Sequence, residues 1–318
     1  MTSTLEQVAA RIRQDLARTI VGQAEAMDLL LVTLLCGGHA LVEGVPGLGK
    51  TLAVRTLARI LRLRFQRVQC TPDLMPADII GSSVFNMATS AFSLRQGPVF
   101  ADLLLVDEIN RMPPRTQAAL LEAMEERQVS IDGTTHPLSR DFAVFATQNP
   151  VEFEGTYPLP EAELDRFLLK IRLDYPDHTR GEEEAILERH HGGFDCRAVE
   201  TLDIEPLNRE LVDAARREVA AVRVGDPMFK YISAIARRTR DWPEITLGVS
   251  PRGSVHLMHV AKATAALDGR DYLLPDDVKR AAGPVLRHRI VLKGEADLEG
   301  LTADQVIADV IATIDVPQ

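Results

Sequence analysis

The sequence is poor in the residues that mark secreted proteins and cysteine-based metal sites. It has 3 cysteines among 318 residues, and Cys36, Cys70 and Cys196 lie far apart with no CxxC pair. This pattern argues against a zinc site built on cysteines. A sparse and odd number of cysteines is typical of a protein from a reducing compartment.

Long apolar runs are also scarce. The longest, LLLVTLLC at 29–36, is far too short to cross a bilayer. The N-terminal stretch MTSTLEQVAARIRQDL has no apolar core of signal-peptide length. We therefore expect a cytoplasmic protein with no membrane span.

Positive charge is in the minority. The chain has 36 Lys and Arg against 46 Asp and Glu, for a net charge of -10. This balance argues against non-specific nucleic-acid binding as the main function, although it leaves room for a local basic patch. With 46% hydrophobic residues the chain can form a globular core, and its length predicts one large domain plus a smaller one, or two of medium size.

Short apolar runs alternate with helical patterns in the first half of the chain. The predicted strands are 39–44, 65–70, 102–107, 142–147 and 167–173, and the predicted helices between them are roughly 23–36, 50–62 and 114–127. The last three runs are almost continuously apolar, as expected for strands that are covered on both faces. This alternation predicts an α/β fold, with a five-stranded parallel sheet between two layers of helices.

Two segments and the C-terminal half depart from this alternation. The segments 82–100 and 127–139 have strand-like pieces around polar tips, which predicts two hairpin inserts. After about residue 175 the pattern is helical, with no convincing strand run. We therefore predict an α/β domain at 1–177 and a smaller all-helical lid domain at 178–318, with a linker at 174–181.

The segment GVPGLGKT at 44–51 matches the phosphate-loop motif G-x-x-x-x-G-K-[ST]. It follows a predicted strand and opens a predicted helix, which is the context that the motif requires. Glycines allow backbone N–H groups to surround phosphate oxygens, Lys50 supplies a full charge, and the Thr51 hydroxyl can bind Mg²⁺. The predicted nucleotide contacts are Gly44, Pro46, Gly47, Leu48, Gly49, Lys50, Thr51 and Leu52.

An apolar run at 103–106 ends in two acids, Asp107 and Glu108. The carboxyl end of a buried parallel strand meets the phosphate loop at the same edge of the sheet. Asp107 is therefore the candidate Mg²⁺ residue, and Glu108 the candidate base for the attacking water. The alternative is a pair of solvated acids. Gln69, at the end of the second strand, is a weaker candidate for holding Glu108 in an inactive pose.

At this point the sequence resembles the MoxR family of AAA+ ATPases over nearly the whole chain. The matching pieces are IVGQ (20–23), VEGVPGLGKT (42–51), QCTPDLMPADIIG (69–81), LLLVDEINRMPPRTQAALLEAMEERQV (103–129), ATQNPVEFEGTYPLPEAELDRF (146–167) and GVSPRGSVHLMHVAKATAAL (248–267). The resemblance implies a ring-forming ATPase, commonly hexameric, that binds ATP between protomers. It also implies chaperone-like action on a protein client, often together with a partner that carries a von Willebrand factor A domain.

The resemblance also implies roles for residues outside the two motifs above. Asn149 resembles sensor 1, with Gln148 as the alternative, and an amide can contact both phosphate and water. Arg166 resembles an arginine finger that reaches the next protomer's nucleotide. Its alternatives are an ion pair with Asp165 or Glu163, or replacement in this role by Arg111, Arg115 or Arg127.

Ser250-Pro251-Arg252 combines an N-cap serine, a proline at the first helical position and an arginine. A cation at the positive end of a helix requires an anion nearby, so Arg252 resembles sensor 2, acting in cis or in trans. Val21, Gly22 and Gln23 are candidates for the adenine pocket. Glu122, Glu125 and Glu126 are interpreted as a solvated helix face, and the pairs His190/His191 and His256/His259 as packed or solvated histidines.

Four functions compete at this stage. The leading one is an ATP-driven remodeller of protein partners. A nucleic-acid motor is disfavoured because the predicted hairpin tips, NMATSA and DGTTH, contain no Lys or Arg. The ATPase subunit of a metal chelatase shares the predicted fold. A scaffold that binds ATP with negligible turnover is disfavoured by the complete set of motif residues.

Overall fold

A five-stranded parallel sheet lies at the centre of the first half of the chain. The structure, a computed structural model, describes residues 3–88, 90–150, 155–196 and 198–317. Its strands are β1 (Ala40–Glu43), β2 (Phe65–Gln69), β3 (Gly81–Asn86), β4 (Ala91–Gln96), β5 (Leu103–Asp107), β6 (Gln128–Ile131), β7 (Thr134–Pro137), β8 (Ala143–Gln148), β9 (Leu169–Arg172), β10 (Ile245–Leu247) and β11 (Val291–Leu292). The order in the central sheet is β2-β5-β8-β1-β9, so all five predicted strands are confirmed.

Helices cover the sheet and form most of the second half of the chain. They are α1 (Thr4–Ala17), α2 (Ala24–Leu35), α3 (Lys50–Ile60), α4 (Pro76–Ile80), α5 (Pro114–Glu126), α6 (Glu161–Leu164), α7 (Glu182–His191), α8 (Arg209–Ala221), α9 (Asp226–Arg240), α10 (Pro251–Leu267), α11 (Pro275–Leu286), α12 (Gly294–Leu298) and α13 (Ala303–Ala312). The predicted α/β core with a smaller helical lid is confirmed. Within the described ranges no helix is both long and apolar enough to cross a membrane.

The central strand β5 is buried on both faces. Leu103 and Leu105 belong to the apolar cluster that also contains residues of α2 and α3. Leu104 and Val106 point the other way, into the cluster that contains residues of α5. Successive side chains of a strand face opposite sides of a sheet, so this unbroken apolar run is what a strand between two helical layers requires.

The two predicted hairpins are present as antiparallel pairs, β3–β4 and β6–β7. Phe85 and Phe92 face each other across the first hairpin with ring centroids 5.2 Å apart, and both are exposed. Its tip includes residue 89, which lies outside the described residues. Both hairpins extend from the core without joining the central sheet.

The lid contains a feature that the sequence interpretation lacked. Strands β10 and β11 form a short antiparallel ribbon between the helices. The lid also contacts the N-terminal helix α1, since the Glu218 carboxylate on α8 accepts hydrogen bonds from the backbone N–H groups of Thr4 and Leu5 at 3.1 and 3.0 Å. The division at 177/178 stays a prediction, and α1 contacts both parts of the molecule.

Candidate nucleotide-binding site

The carboxyl ends of three neighbouring strands bring the predicted site residues together. Strand β8 lies between β5 and β1 in the sheet. The phosphate loop follows β1, the two acids end β5, and Asn149 follows β8. The sheet order therefore places Asn149 between the phosphate loop and the acids, where a ligand at this edge would contact all three.

The phosphate loop has the backbone conformation that its glycines allow. Gly47 and Gly49 have φ values of 91° and 79°, in the left-handed region that glycine adopts without steric cost. Gly49 is the N-cap of α3, so the loop ends at the positive end of an 11-residue helix. The Lys50 ammonium donates hydrogen bonds to the backbone oxygens of Gly44 and Val45 within the same loop.

Asp107 and Glu108 are both oriented by a threonine on the adjacent strand. The Thr147 hydroxyl donates to Asp107 Oδ1 at 2.6 Å and accepts from the Glu108 N–H at 2.9 Å. Glu108 has φ 59° and ψ 55°, which is uncommon for a residue other than glycine. Its carboxylate forms an ion pair with Arg111 at 3.0 Å. Backbone strain of this kind is concentrated at functional sites, and here the hydrogen bond from the Glu108 N–H to Thr147 helps to stabilise the strained backbone.

Asp107 also has a basic partner that the motif does not predict. Arg67, on β2, donates from Nε and Nη2 to Asp107 Oδ2 at 3.0 and 2.7 Å. Gln69 accepts a hydrogen bond from the same guanidinium at 2.9 Å. Arg67 is thus the residue that Gln69 contacts, and the predicted role of Gln69 toward Glu108 stays a prediction.

A cavity of about 570 Å³ occupies the space between the core and the lid. Its lining contains these predicted residues: Val21, Gln23, Pro46, Gly47, Leu48, Gly49, Lys50, Thr51, Leu52, Asp107, Glu108 and Asn149. Gly22 and Gly44 are not among the lining residues. A volume of this size is in the range of small-molecule sites.

The lid and its connection to the core supply part of the lining that the sequence interpretation missed. The cavity is also lined by Arg189, His190, Phe194 and Cys196. The rings of His190 and Phe194 are 5.6 Å apart, and the Arg189 guanidinium lies 6.0 Å from the Phe194 ring centroid. His190 is therefore part of the wall of the cavity.

Burial makes the thiol closest to the acids unreactive. Cys70 follows Gln69 at the end of β2 and is 1% exposed. Burial, with the neighbouring charges of Asp107 and Glu108, raises the pKa of this thiol to about 12. The thiolate form is therefore scarce at neutral pH, and Cys70 is a packing residue at the edge of the site.

Arg166 and Arg252 do not line the cavity. Both bind the same carboxylate, that of Glu125 on α5: Arg166 Nε lies 3.1 Å from Glu125 Oε2, and Arg252 Nη2 donates to Glu125 Oε1. The expected N-cap is present, since Ser250 accepts from the Gly253 N–H at 3.1 Å. Glu125 is exposed, as the interpretation of a solvated face predicts, and its carboxylate in addition pairs with two arginines.

Two of the three competing arginines, Arg111 and Arg127, have other partners. Arg111 pairs with Glu108, and Arg127 donates to the backbone oxygens of Gly37 and Arg140. Asn149 is 6% exposed at the cavity wall. Thr147 and Glu125 lie within the segments that resemble the family, but nothing in the sequence assigned them these contacts, and Arg67 lies outside those segments.

Comparison with known proteins identifies the family. Residues 39–169 match the model of the ATPase family associated with various cellular activities (AAA), and 237–310 match the AAA lid domain. The chain is 44% identical over 316 residues to the uncharacterized protein YeaC of Bacillus subtilis, covering 98% of this chain and 96% of that protein. It is 42% identical over 326 residues to Chaperone MoxR1 of Mycobacterium tuberculosis, covering 99% and 83%.

A solved structure has the same fold over nearly the whole chain. The crystal structure of a "putative ATPase" from Cytophaga hutchinsonii superposes with a TM-score of 0.86 at 39% identity, covering 99% of this chain and 96% of that one. The two family models cover the α/β core and the lid, and the chaperone relative and this structure match nearly the whole of this chain. The chain belongs to the MoxR family of AAA+ ATPases and is an ATP-hydrolysing enzyme.

Proposed function

We propose that the chain is a ring-forming ATPase that remodels a protein client, with each ATP bound between two subunits. The observation that carries this proposal is the position of Arg166 and Arg252. Both lie on Glu125, outside the cavity that their own subunit's phosphate loop lines. Hydrolysis produces negative charge on phosphate oxygens, and cationic groups from a neighbouring subunit are a known way to stabilise it.

The residues at the centre of the site fit a Mg²⁺ ion bound together with ATP. Thr51 Oγ1 lies 3.4 Å from Asp107 Oδ2, and hard cations of this kind prefer oxygen ligands. Thr51 and Asp107 would hold the ion, which supplies charge neutralisation at the phosphates. The backbone N–H groups of residues 47–51 would bind phosphate oxygens, and Val21 with Gln23 would contact the base.

Glu108 is the proposed general base. It lines the cavity at the end of β5, and its backbone is held by Thr147. Its carboxylate would accept the proton of the water that attacks the γ-phosphate. Asn149 would contact that phosphate and the water through its amide, because an amide can donate and accept without adding charge.

The ring, commonly a hexamer in this family, and the client complete the proposal. The relative in Mycobacterium tuberculosis is named a chaperone, which supports a protein client. The hairpin tips at 86–91 and 132–136 contain no Lys or Arg, unlike a surface that tracks a nucleic-acid backbone. A client-side partner with a von Willebrand factor A domain and action in the cytoplasm remain part of the proposal.

The decisive variant for hydrolysis is Glu108→Gln. Glutamine has the same shape but cannot accept the proton, so ATP binding is kept while turnover falls by roughly 10²–10⁴-fold. Nucleotide affinity and steady-state phosphate release measure the two effects separately. The matched control is Glu126→Gln on α5, an exposed residue outside the cavity, which should hydrolyse ATP like the wild type. Unchanged turnover in Glu108→Gln would remove Glu108 from the mechanism.

Mixing inactive variants tests the shared site. Arg166→Ala keeps its own catalytic acids, and Glu108→Gln keeps its arginines, so mixed rings contain some complete sites. We expect the mixture to hydrolyse ATP faster than either variant alone. The inter-subunit model fails if no mixing ratio restores activity although both variants assemble and bind ATP.

A further inference from the structure

A buried connector lies behind the two arginines that the proposed function places at the subunit interface. Its centre is Asp165, the residue before Arg166. Asp165 Oδ1 accepts from Arg289 Nε at 2.8 Å, and Asp165 Oδ2 accepts from the Ser250 hydroxyl at 2.9 Å. Ser250 is the N-cap of α10, the helix that carries Arg252. One carboxylate of the core thus contacts two separate parts of the lid.

Arg289 is an unusual residue to find in this position, because charged side chains are rarely buried unless they are fully paired. Its side chain is only 1% exposed. Besides the carboxylate, it donates to the backbone oxygens of Asp165 at 3.1 Å and of Leu168 at 3.3 Å. It also donates to the backbone oxygen of Phe167. Arg289 therefore binds the whole turn that leads from Arg166 into strand β9.

The Arg289 guanidinium stays charged although it is buried, and a neutral histidine of the lid contacts it. Desolvation lowers the pKa of Arg289 to about 10, so the guanidinium is still charged at neutral pH. Its Nη2 lies 2.6 Å from His256 Nδ1. Burial, with the charge of Arg289, lowers the pKa of His256 to about 3, so this ring is neutral and can accept the hydrogen bond.

The connector and Glu125 restrain the arginine pair from both sides. On the buried side, Arg289 and Ser250 join the Asp165 segment to α10. On the outer side, the Glu125 carboxylate contacts both Arg166 and Arg252. The positive charges of Arg166 and Arg252 repel each other, and the negative charge of the Glu125 carboxylate between them offsets that repulsion. The two arginines are therefore linked to each other through contacts that join core and lid.

We propose that Arg289, acting through Asp165, is a positioning residue for ATP hydrolysis at the neighbouring subunit's site. It does not touch the nucleotide of its own subunit, since it is not among the residues that line the cavity. Its effect is to hold Arg166 and Arg252 at a fixed separation and direction. This inference rests on the proposed ring with shared sites, and it adds the element that makes the two arginines act together.

The test uses Arg289→Met in the full-length chain. Methionine is apolar and removes the charge and every hydrogen bond. A displacement of about 1 Å in a catalytic group can cost 10²-fold, so we expect hydrolysis to fall by about that factor. Because Arg289 does not line the cavity, the ATP affinity of the variant should stay within about twofold of wild type, well below the tenfold change that 1.4 kcal/mol would produce. Mixing with Glu108→Gln should restore hydrolysis, because the acids of the Arg289→Met subunit are intact.

Restoration by mixing separates positioning from damage to the fold. A merely structural defect would also disable the variant's own site, and then Glu108→Gln could not rescue it. The matched control is Arg270→Met, which removes another lid arginine, one that binds the buried Asp277 at 2.6 Å. It should lower thermal stability while leaving hydrolysis per folded ring unchanged. Equal loss of hydrolysis in the control would overturn the proposal.

A second variant covers the case in which Arg289→Met does not fold. Ser250→Gly removes the hydroxyl that binds Asp165, while glycine keeps most of the N-cap stability. We expect a fall in hydrolysis of about tenfold, the size of one lost charge-assisted hydrogen bond, and rescue by Glu108→Gln. Ser250 and Arg289 hold the same Asp165 carboxylate, so a wild-type rate of hydrolysis in Ser250→Gly would show that the position of Asp165 does not matter and would overturn the proposal.

The mixture of Arg166→Ala with Glu108→Gln serves as a reference, because it tests the shared site without testing the positioning role of Arg289. If that mixture recovers activity and the Arg289→Met mixture does not, the positioning role is wrong and the shared site stands. If the reference mixture fails as well, the shared site and the positioning role are both wrong.

Discussion

At the scale of single residues, Thr147 is the residue that ties the two acids of the proposed site, Asp107 and Glu108, to the sheet. Its hydroxyl donates to the Asp107 carboxylate and accepts from the Glu108 backbone. It is 1% exposed, so water cannot replace either bond if the hydroxyl is lost. An unsatisfied buried group next to a carboxylate costs on the order of 1–3 kcal/mol, which is enough to change the pose of Glu108.

Thr147→Val should therefore lower the rate of ATP hydrolysis. Valine has the same shape and fills the same space, so the change isolates the two hydrogen bonds. We expect the turnover number to fall by about 10–100-fold, which corresponds to roughly 1.4–2.8 kcal/mol, with the protein still folded. Steady-state phosphate release and a thermal melt measure the two quantities.

The matched control is Thr56→Val on α3. Thr56 is also fully buried, but its hydroxyl has no hydrogen-bond partner among the described residues. Its replacement should leave hydrolysis unchanged and stability equal or higher. Similar losses of turnover in the two variants would show that Thr147 acts only through packing.

Residues inside local motifs could be predicted from the sequence, and their partners could not. The phosphate loop and the two acids have fixed spacing along the chain, and all of them except Gly44 and Val45 line the cavity. Arg67, Thr147 and Glu125 act through contacts between strands or between core and lid. Such contacts depend on sheet order and packing, which no spacing in one sequence encodes.

At the scale of elements, two glycines form the base of the β3–β4 hairpin. Gly81 has φ 95°, and a Cβ there would lie 2.3 Å from the Arg95 backbone oxygen. A Cβ on Gly97 would lie 2.3 Å from the Ile79 backbone oxygen. The two backbone segments at the base of the hairpin therefore approach each other more closely than a Cβ at either glycine permits.

Gly81→Ala should disrupt this base. The strained backbone region costs about 1–3 kcal/mol and the clash with backbone about as much again, so we expect a loss of roughly 2–6 kcal/mol in local stability. Amide hydrogen exchange across residues 81–96 reports it directly. The control is Gly133→Ala, which also has a positive φ but nothing within 4 Å of the added Cβ. It should cost roughly 1 kcal/mol. If each substitution lowered the amide protection of its own hairpin by the same amount, the steric explanation would be wrong.

Strands with apolar runs and hairpins with turn signals were predictable, whereas the lid ribbon and the N-terminal helix were not. The five sheet strands, the two hairpins and the N-cap at Ser250 follow the sequence prediction. The ribbon β10–β11 pairs strands of only 3 and 2 residues, 245–247 with 291–292, so neither shows an alternating pattern. The helix α1 was not predicted either, although it has a complete capping box at Ser3 and Glu6.

At the scale of the whole molecule, a single subunit has acids and arginines on different surfaces. Glu108 lines the cavity, whereas Arg166 and Arg252 lie on Glu125 outside it. A complete site in the proposed ring therefore needs two copies of the chain. The resemblance to the family implied that Arg166 acts on a neighbouring subunit, but the shared contact of Arg166 and Arg252 with Glu125 could not be predicted, because it depends on the packing of the lid against α5.

This separation predicts that hydrolysis depends on protein concentration. On dilution below the concentration at which rings form, the turnover per subunit should fall steeply, by up to the 10³–10⁵-fold that a trans-acting arginine supplies. Arg166→Ala should be slow at every concentration and lose little more on dilution. Turnover should be measured alongside the oligomer size by light scattering. A constant turnover per subunit through dissociation would rule out a shared site.

Arg67 has a consequence for how the enzyme ends a cycle. Its guanidinium binds Asp107 Oδ2, so the acid already has a counter-ion when no nucleotide is present. A bare carboxylate at 8% exposure would make the vacated site costly and would favour retention of product. With an internal cation in place, the vacated site is a stable resting form. After ADP leaves, the Asp107 carboxylate is therefore still paired with Arg67. When a new ATP binds with its Mg²⁺, this carboxylate would exchange its contact with Arg67 for a contact with the ion.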